Sequence, residues 1–95
     1  LLPGMILSNE PGYYKENEYG IRTENLVVIK ENNNKKLYFE NISWCPIDLD
    51  LIDSSMLDQI ERHWLNEYHR KVYDTLETYL ENKEKDWLKK VTSEV

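Results

Sequence analysis

The spacing of apolar positions changes once along the chain, near Asp50. Ahead of it, apolar residues come in short runs divided by turn clusters, the pattern of strands. "GMILSN" follows a Pro-Gly turn, and "GIRTENLVVIK" (20–30) alternates before running apolar from Leu26 to Ile29. After the Asn-rich "ENNNKK" (31–36), "LYFENISWCPI" (37–47) returns with Pro46 near its end. A proline is tolerated there because a strand end has no ladder bond to lose. These three segments predict a small antiparallel meander. Beyond Asp58, Ile60, Trp64, Leu65, Tyr68, Val72, Leu76, Tyr79 and Leu80 recur at steps of three and four. That spacing predicts an amphipathic helix of about six turns. Asp58 and Glu61 stand at capping-box spacing, which sets the helix start close to Asp58. "ENK" (81–83) interrupts the stripe, and "EKDWLKKV" predicts a second, short helix with Trp87, Leu88 and Val91 on one side. Strands followed by helices make the class α+β: a short antiparallel sheet, then a long and a short helix.

Composition narrows the function. Twelve basic against 18 acidic residues give a net charge of −6, which opposes binding to nucleic acid phosphates and anionic membrane surfaces. Ninety-five residues, 40% of them apolar, with Trp44, Trp64, Trp87 and seven tyrosines, suffice for one modest core. One cysteine, Cys45, forms no internal disulfide, and no charged start with an apolar run marks a secretory leader, so a reducing, cytoplasmic setting is expected. No run approaches the ~20 apolar residues that cross a bilayer. The opening "LLPGMIL" has no initiator Met and reads as an element already under way, so the chain is expected to be part of a longer protein.

The chemistry gathers in "SNEPGYYKENEYGIRTEN" (8–25), where Glu10 and Glu24 flank a turn-rich stretch. On the strand from Gly20, the even positions Arg22, Glu24, Leu26 and Val28 share one face. Glu10 ends the preceding strand, and antiparallel pairing across an 11–19 loop brings it within reach of Glu24. Two facing carboxylates repel unless a proton, a base or a metal lies between them. Hard cations such as Mn²⁺, or Zn²⁺, suit that position, whereas from spacing alone two solvated surface charges are the more usual reading.

The order "LPGMILSNEPGYY" then "YGIRTEN" resembles the C-terminal part of the catalytic domain of aminopeptidase P, the Xaa-Pro aminopeptidases of the pita-bread metallopeptidase family. "FENISWCPIDLDLID", "WLNEYHRKVYDTL" and "DWLKK" are similar to the extension following the metal site in longer, eukaryotic-type members. The resemblance implies a fragment of a pita-bread fold, with residues 1–50 as strands of the catalytic domain and 51–95 as its helical extension. It implies a site of two divalent ions, manganese or zinc, held by two Asp, one His and two Glu. Glu10 and Glu24 match the two Glu, with Glu24 bridging both ions. Tyr14 and Arg22 match hydrogen-bonding partners around the site, and Gly12 is expected to serve a tight turn after Glu10. The implied reaction removes an N-terminal residue that precedes proline, with an attacking oxygen drawn from metal-activated water. No general base or nucleophile is assigned here, so the catalytic set within this chain is empty.

The two Asp, the His and the further substrate-contacting His residues of the family lie upstream and have no counterpart here. Two of five ligands cannot hold the ion pair, so the isolated chain is expected to be inert, to bind no ion stably and to depend on the remainder of the catalytic domain. His63 and His69 do not replace them, because six residues on a helix set them about 240° apart. His63 and Glu67 stand four apart and can share a stray ion, but solvated or packing roles are the ordinary reading of both histidines. Cys45, between Trp44 and Pro46, is expected to be a small buried hydrophobe. Trp64, Tyr68, Tyr73, Tyr79 and Trp87 at helical spacing are expected in the core. In the family the helical tail packs on the catalytic domain and can contribute to a homodimer interface. The rival class is a non-catalytic dimerisation or interaction module on the same fold, which substitution of either Glu would favour; both are intact.

Overall fold

The computed structural model describes every residue from Leu1 to Val95, and the chain divides into two compact units, Leu1–Ser43 and Trp44–Val95. The first is all strand: β1 (Ile6–Asn9), β2 (Gly12–Lys15), β3 (Tyr19–Arg22), β4 (Asn25–Glu31) and β5 (Leu37–Asn41). The three expected strands form an antiparallel sheet in the order β1-β4-β5, and β2-β3 form a second, two-stranded sheet. Residues 11–19, expected as a loop, are therefore a hairpin, and the strand expected over 20–30 is broken at Thr23 and Glu24.

The two ladders share one register. Ile6 faces Val28 and Asn9 faces Asn25, and beyond the break Gly12 faces Arg22, Tyr14 faces Gly20 and Lys15 faces Tyr19. Thr23 N–H donates to the Pro11 carbonyl at 3.0 Å, carrying the pairing across the interruption. The turn is tight: Glu18 N–H donates to the Lys15 carbonyl at 3.0 Å, and Asn17 adopts a left-handed φ of 60°, which Asn tolerates. At the other hairpin tip Asn32 Oδ1 accepts from the Asn34 and Lys36 amides at 2.9 and 3.0 Å. That is the local bonding expected of an Asn-rich turn. Asn25, Val27 and Ile29 on one face of β4 are buried, and Leu26 on the other is exposed.

The second unit opens with an extended segment, Trp44–Ile47, and two short 3₁₀ turns, each capped by an aspartate, Asp48 and Asp53. The long helix, α1, runs Gln59–Leu76, about five turns, and a 3₁₀ turn at Glu77–Tyr79 finishes the expected stripe. The capping box is present: Asp58 accepts from the Glu61 amide at 2.8 Å, and Glu61 accepts from the Asp58 amide at 3.0 Å. The short helix, α2 (Asn82–Val91), begins within "ENK", because Glu81 and Glu84 form a second capping box.

Tyr68, Val72 and Leu88 form the core of this unit, with Trp44, Ile47, Tyr73, Leu76, Leu80 and Val91 packed around them. The expected aromatic core is thus only partly internal. Tyr68 is buried, Trp64 stacks on its ring at 5.3 Å, and Trp87, Ile60 and Tyr79 are exposed, the last two at 81% and 82%. A helix buries only the part of its stripe that finds a neighbour, and Ile60 and Tyr79 lie outside that part.

Cys45 is exposed, contrary to expectation, because it lies in the extended segment between the inward-packed Trp44 and Ile47. That segment pairs with no strand, so its backbone needs side-chain partners. Tyr68 Oη donates to the Cys45 carbonyl at 2.7 Å, and the Ile47 N–H donates to His69 Nε2 at 3.0 Å. Unprotonated Nε2 places the neutral ring's proton on Nδ1, which is buried without a partner. Burial holds the His69 pKa below its ordinary value near 6.5. A histidine with a lowered folded pKa contributes its full stability above the unfolded pKa, and that contribution falls as pH drops below about 6.5. Urea denaturation between pH 7.5 and pH 5 is expected to show stability declining on the acid side, by at most about 1.4 kcal/mol per pH unit for this one proton. His69→Gln is expected to flatten the profile; an unchanged slope would mean another group titrates.

Candidate metal-binding site

Alternation along β2 and β3 and the shared register place six residues on one face of the long hairpin: Glu10, Gly12 and Tyr14 on one strand, and Gly20, Arg22 and Glu24 on the other. Glu10 and Glu24 stand one position beyond the Asn9–Asn25 pair, at the break and on opposite strands. Directly opposed residues in an antiparallel ladder have Cα atoms about 4.5–5.5 Å apart. The register thus turns two glutamates fourteen positions apart in sequence into cross-strand neighbours.

Arg22 organises the group. Its Nε donates to Glu24 Oε2 at 3.0 Å, as the same-face reading required. Its pKa is raised above the usual guanidinium value, first by a side-chain hydrogen bond to Tyr14, then by the negative charge of Glu24, with Glu10 contributing as well. The four residues singled out in the sequence, Glu10, Tyr14, Arg22 and Glu24, are accordingly gathered around one guanidinium. The Arg22 and Glu24 side chains are 50% and 42% exposed, and an ion pair so open to water contributes at most about 1 kcal/mol. What the pair does fix is the direction of the Glu24 carboxylate.

Gly12 is not at a turn. It lies within β2 with an ordinary backbone, the left-handed glycine of the chain being Gly4, and the Tyr14 ring stands over it. The reason for glycine at this position is room rather than backbone freedom, which strand alternation shows only once the register is known.

Two opposed carboxylates whose oxygens are accessible on a solvent-facing strand break form a hard-oxygen donor set, suited to a divalent cation. The set is partial. The chain contains no group of three or more His, Cys, Asp and Glu side chains placed to hold an ion. His63 and His69 both belong to the second unit, His63 exposed and His69 engaged with Ile47.

Two family models match the chain: one described as the C-terminal region of peptidase M24 over residues 35–95, and one described as metallopeptidase family M24 over residues 1–31. The chain belongs to the peptidase M24 family. Within this M24 chain the four clustered residues all fall in the stretch matching the metallopeptidase model.

A probable Xaa-Pro aminopeptidase P of Coprinopsis cinerea is 42% identical over 100% of this chain, and aminopeptidase P1 of Lotus japonicus is 40% identical, also over 100%. The M24 chain spans 17% and 16% of the length of those two proteins. Among solved structures, the X-prolyl aminopeptidase of Caenorhabditis elegans, described as a cytosolic enzyme with a di-nuclear active site, matches with a TM-score of 0.84 at 31% identity. That match covers 100% of this chain and 17% of the worm enzyme. The α+β arrangement is thus that of part of the pita-bread fold.

Proposed function

We propose that this chain supplies two ligands, Glu10 and Glu24, to the dinuclear metal centre of an Xaa-Pro aminopeptidase, with the other ligands coming from residues outside it. The observation that carries the reading is the cross-strand placement of Glu10 and Glu24 beside a single guanidinium, in a chain whose solved relative has a di-nuclear site. Glu24, held by Arg22, and Glu10 would each offer carboxylate oxygens to the ions. Oxygen donors suit Mn²⁺, with Zn²⁺ as the borderline alternative.

When bound, the ions supply Lewis-acid polarisation of the scissile carbonyl and lower the pKa of water. The residues of this chain orient rather than react. Arg22 keeps its proton throughout, donates to Glu24 and fixes the direction of the carboxylate. Tyr14 shares the face of Arg22, and its ring ends at the position beside that guanidinium. Outer partners of this kind make the ligand geometry insensitive to thermal motion of long side chains.

The substrate is a peptide with proline in second position, the chemistry that the names of the relatives carry. The test compares the 95-residue chain with the full-length protein on an Arg-Pro-Pro peptide in Mn²⁺. Turnover is expected only in the full-length protein, and isothermal titration of the 95-residue chain is expected to give weak or no Mn²⁺ binding. Turnover by the 95 residues would mean that the remaining ligands come from within them or from a second copy.

A further inference from the structure

The geometry points to Gly12 and Gly20 as positioning residues: they leave a bare floor on the hairpin where Tyr14 lies flat, so that its hydroxyl fixes Arg22 and, through Arg22, Glu24. This inference rests on the metal-site reading above and concerns residues that reading leaves without a role.

Gly20 is the direct cross-strand partner of Tyr14, and Gly12 precedes Tyr14 by two residues on the same face, opposite Arg22. A Cβ on Gly20 would meet Tyr14 Cδ1 at 2.6 Å, and one on Gly12 would meet Tyr14 Oη at 2.8 Å. The ring therefore runs from above Gly20 towards Gly12, and its hydroxyl ends over Gly12, whose cross-strand partner is Arg22. Any side chain at 20 strikes the near edge of the ring and lifts it; one at 12 strikes the hydroxyl end.

Backbone conformation does not call for either glycine, since neither has a positive φ. In an ordinary strand an alanine would be preferred at both positions, because glycine loses more conformational freedom on folding and packs no side chain. An aromatic ring laid over a cross-strand glycine restores part of that packing. Two such glycines on one face, both under the same ring, are explained by the ring's function: 64% of Tyr14 stays exposed, so burial is not what the arrangement serves.

The test is a double-mutant cycle in the full-length protein, read by isothermal titration of Mn²⁺ and by melting temperature. Gly20→Ala is expected to weaken Mn²⁺ affinity about 10- to 100-fold, Tyr14→Ala by a similar factor, and Gly12→Ala by less, because the hydroxyl end of the ring gives way more easily. The decisive variant is Tyr14→Ala with Gly20→Ala together. It is expected to bind within about twofold of Tyr14→Ala alone, since the alanine then has no ring to displace. Independent, multiplying effects, or a Gly20→Ala protein that binds as the parent does, would overturn the inference. Should Gly20→Ala fail to fold, the double variant must fold, and its failure to do so counts equally against the idea. Glu24→Ala is titrated alongside. If it binds as the parent does, the ligand assignment falls, and the clearance role stands only if the same coupling between positions 14 and 20 is found in the melting temperatures.

Discussion

Replacing Glu24 with alanine in the full-length protein is expected to lower cleavage of Xaa-Pro peptides by more than about 100-fold, a larger loss than any outer partner of the site produces. The argument is one of position. Glu24 stands at the strand break, opposite Glu10, with one oxygen already fixed by Arg22 at 3.0 Å, so on the proposed ligand assignment its removal takes away a metal donor together with the group that Arg22 holds. Arg22→Lys keeps the charge but loses the planar fork that matches a carboxylate, and is expected to cost about 10- to 100-fold. The two variants should part under added Mn²⁺: excess metal restores much of the Arg22→Lys activity, because weakened affinity is overcome by mass action, and restores little to Glu24→Ala. Melting temperatures should barely move for Arg22→Lys, as the exposed pair contributes little to stability. Near-normal activity of Glu24→Ala in ordinary metal concentrations would remove this residue from the metal centre.

The second large effect is on folding. Leu88 is 1% exposed in α2 and packs with Tyr68 and Val72 of α1. Leu88→Ala removes about three methylene equivalents from a site closed on all sides and is expected to cost about 2–5 kcal/mol. The unit it belongs to is small, and small units bury little surface per residue, so that loss is a large part of what holds them folded. Tyr79→Ala is the matched control: on the 3₁₀ turn after α1 and 82% exposed, it is expected to change stability by no more than about 0.5 kcal/mol. Urea midpoints at constant slope give both values. Equal effects of the two substitutions would mean that α2 does not dock on α1 as described.

Local chemistry explains why some features were readable from the sequence. The Asp58 capping box and the Asn-rich hairpin tip are made by side chains bonding to backbone within a few residues, so their signal is contained in a short window. The same-face relation of Arg22 and Glu24 follows from strand alternation alone. The hairpin of residues 12–22 was missed because Pro, Gly and Asn between the glutamates carry turn chemistry, while only Glu16–Glu18 is the turn. Pro11 loses no ladder bond, since its carbonyl is what the pairing uses. Cys45 and His69 carried no legible signal, because their exposure depends on an extended segment with no strand beside it.

The sequence by itself determined strands β1, β4 and β5, the two helices and the start of the longer one, because periodicity and capping are properties of neighbouring residues. Tertiary structure decided which residues meet. The shared register sets Glu10 opposite Glu24 and lays Tyr14 across Gly20, and a shift of one residue would send Tyr14 to the other face and undo the cluster. It decided too that Tyr68 and Leu88 are internal while Ile60 and Tyr79 on the same helical pattern are not. Burial belongs to the pair of surfaces that come together, and one segment's spacing describes only one of them.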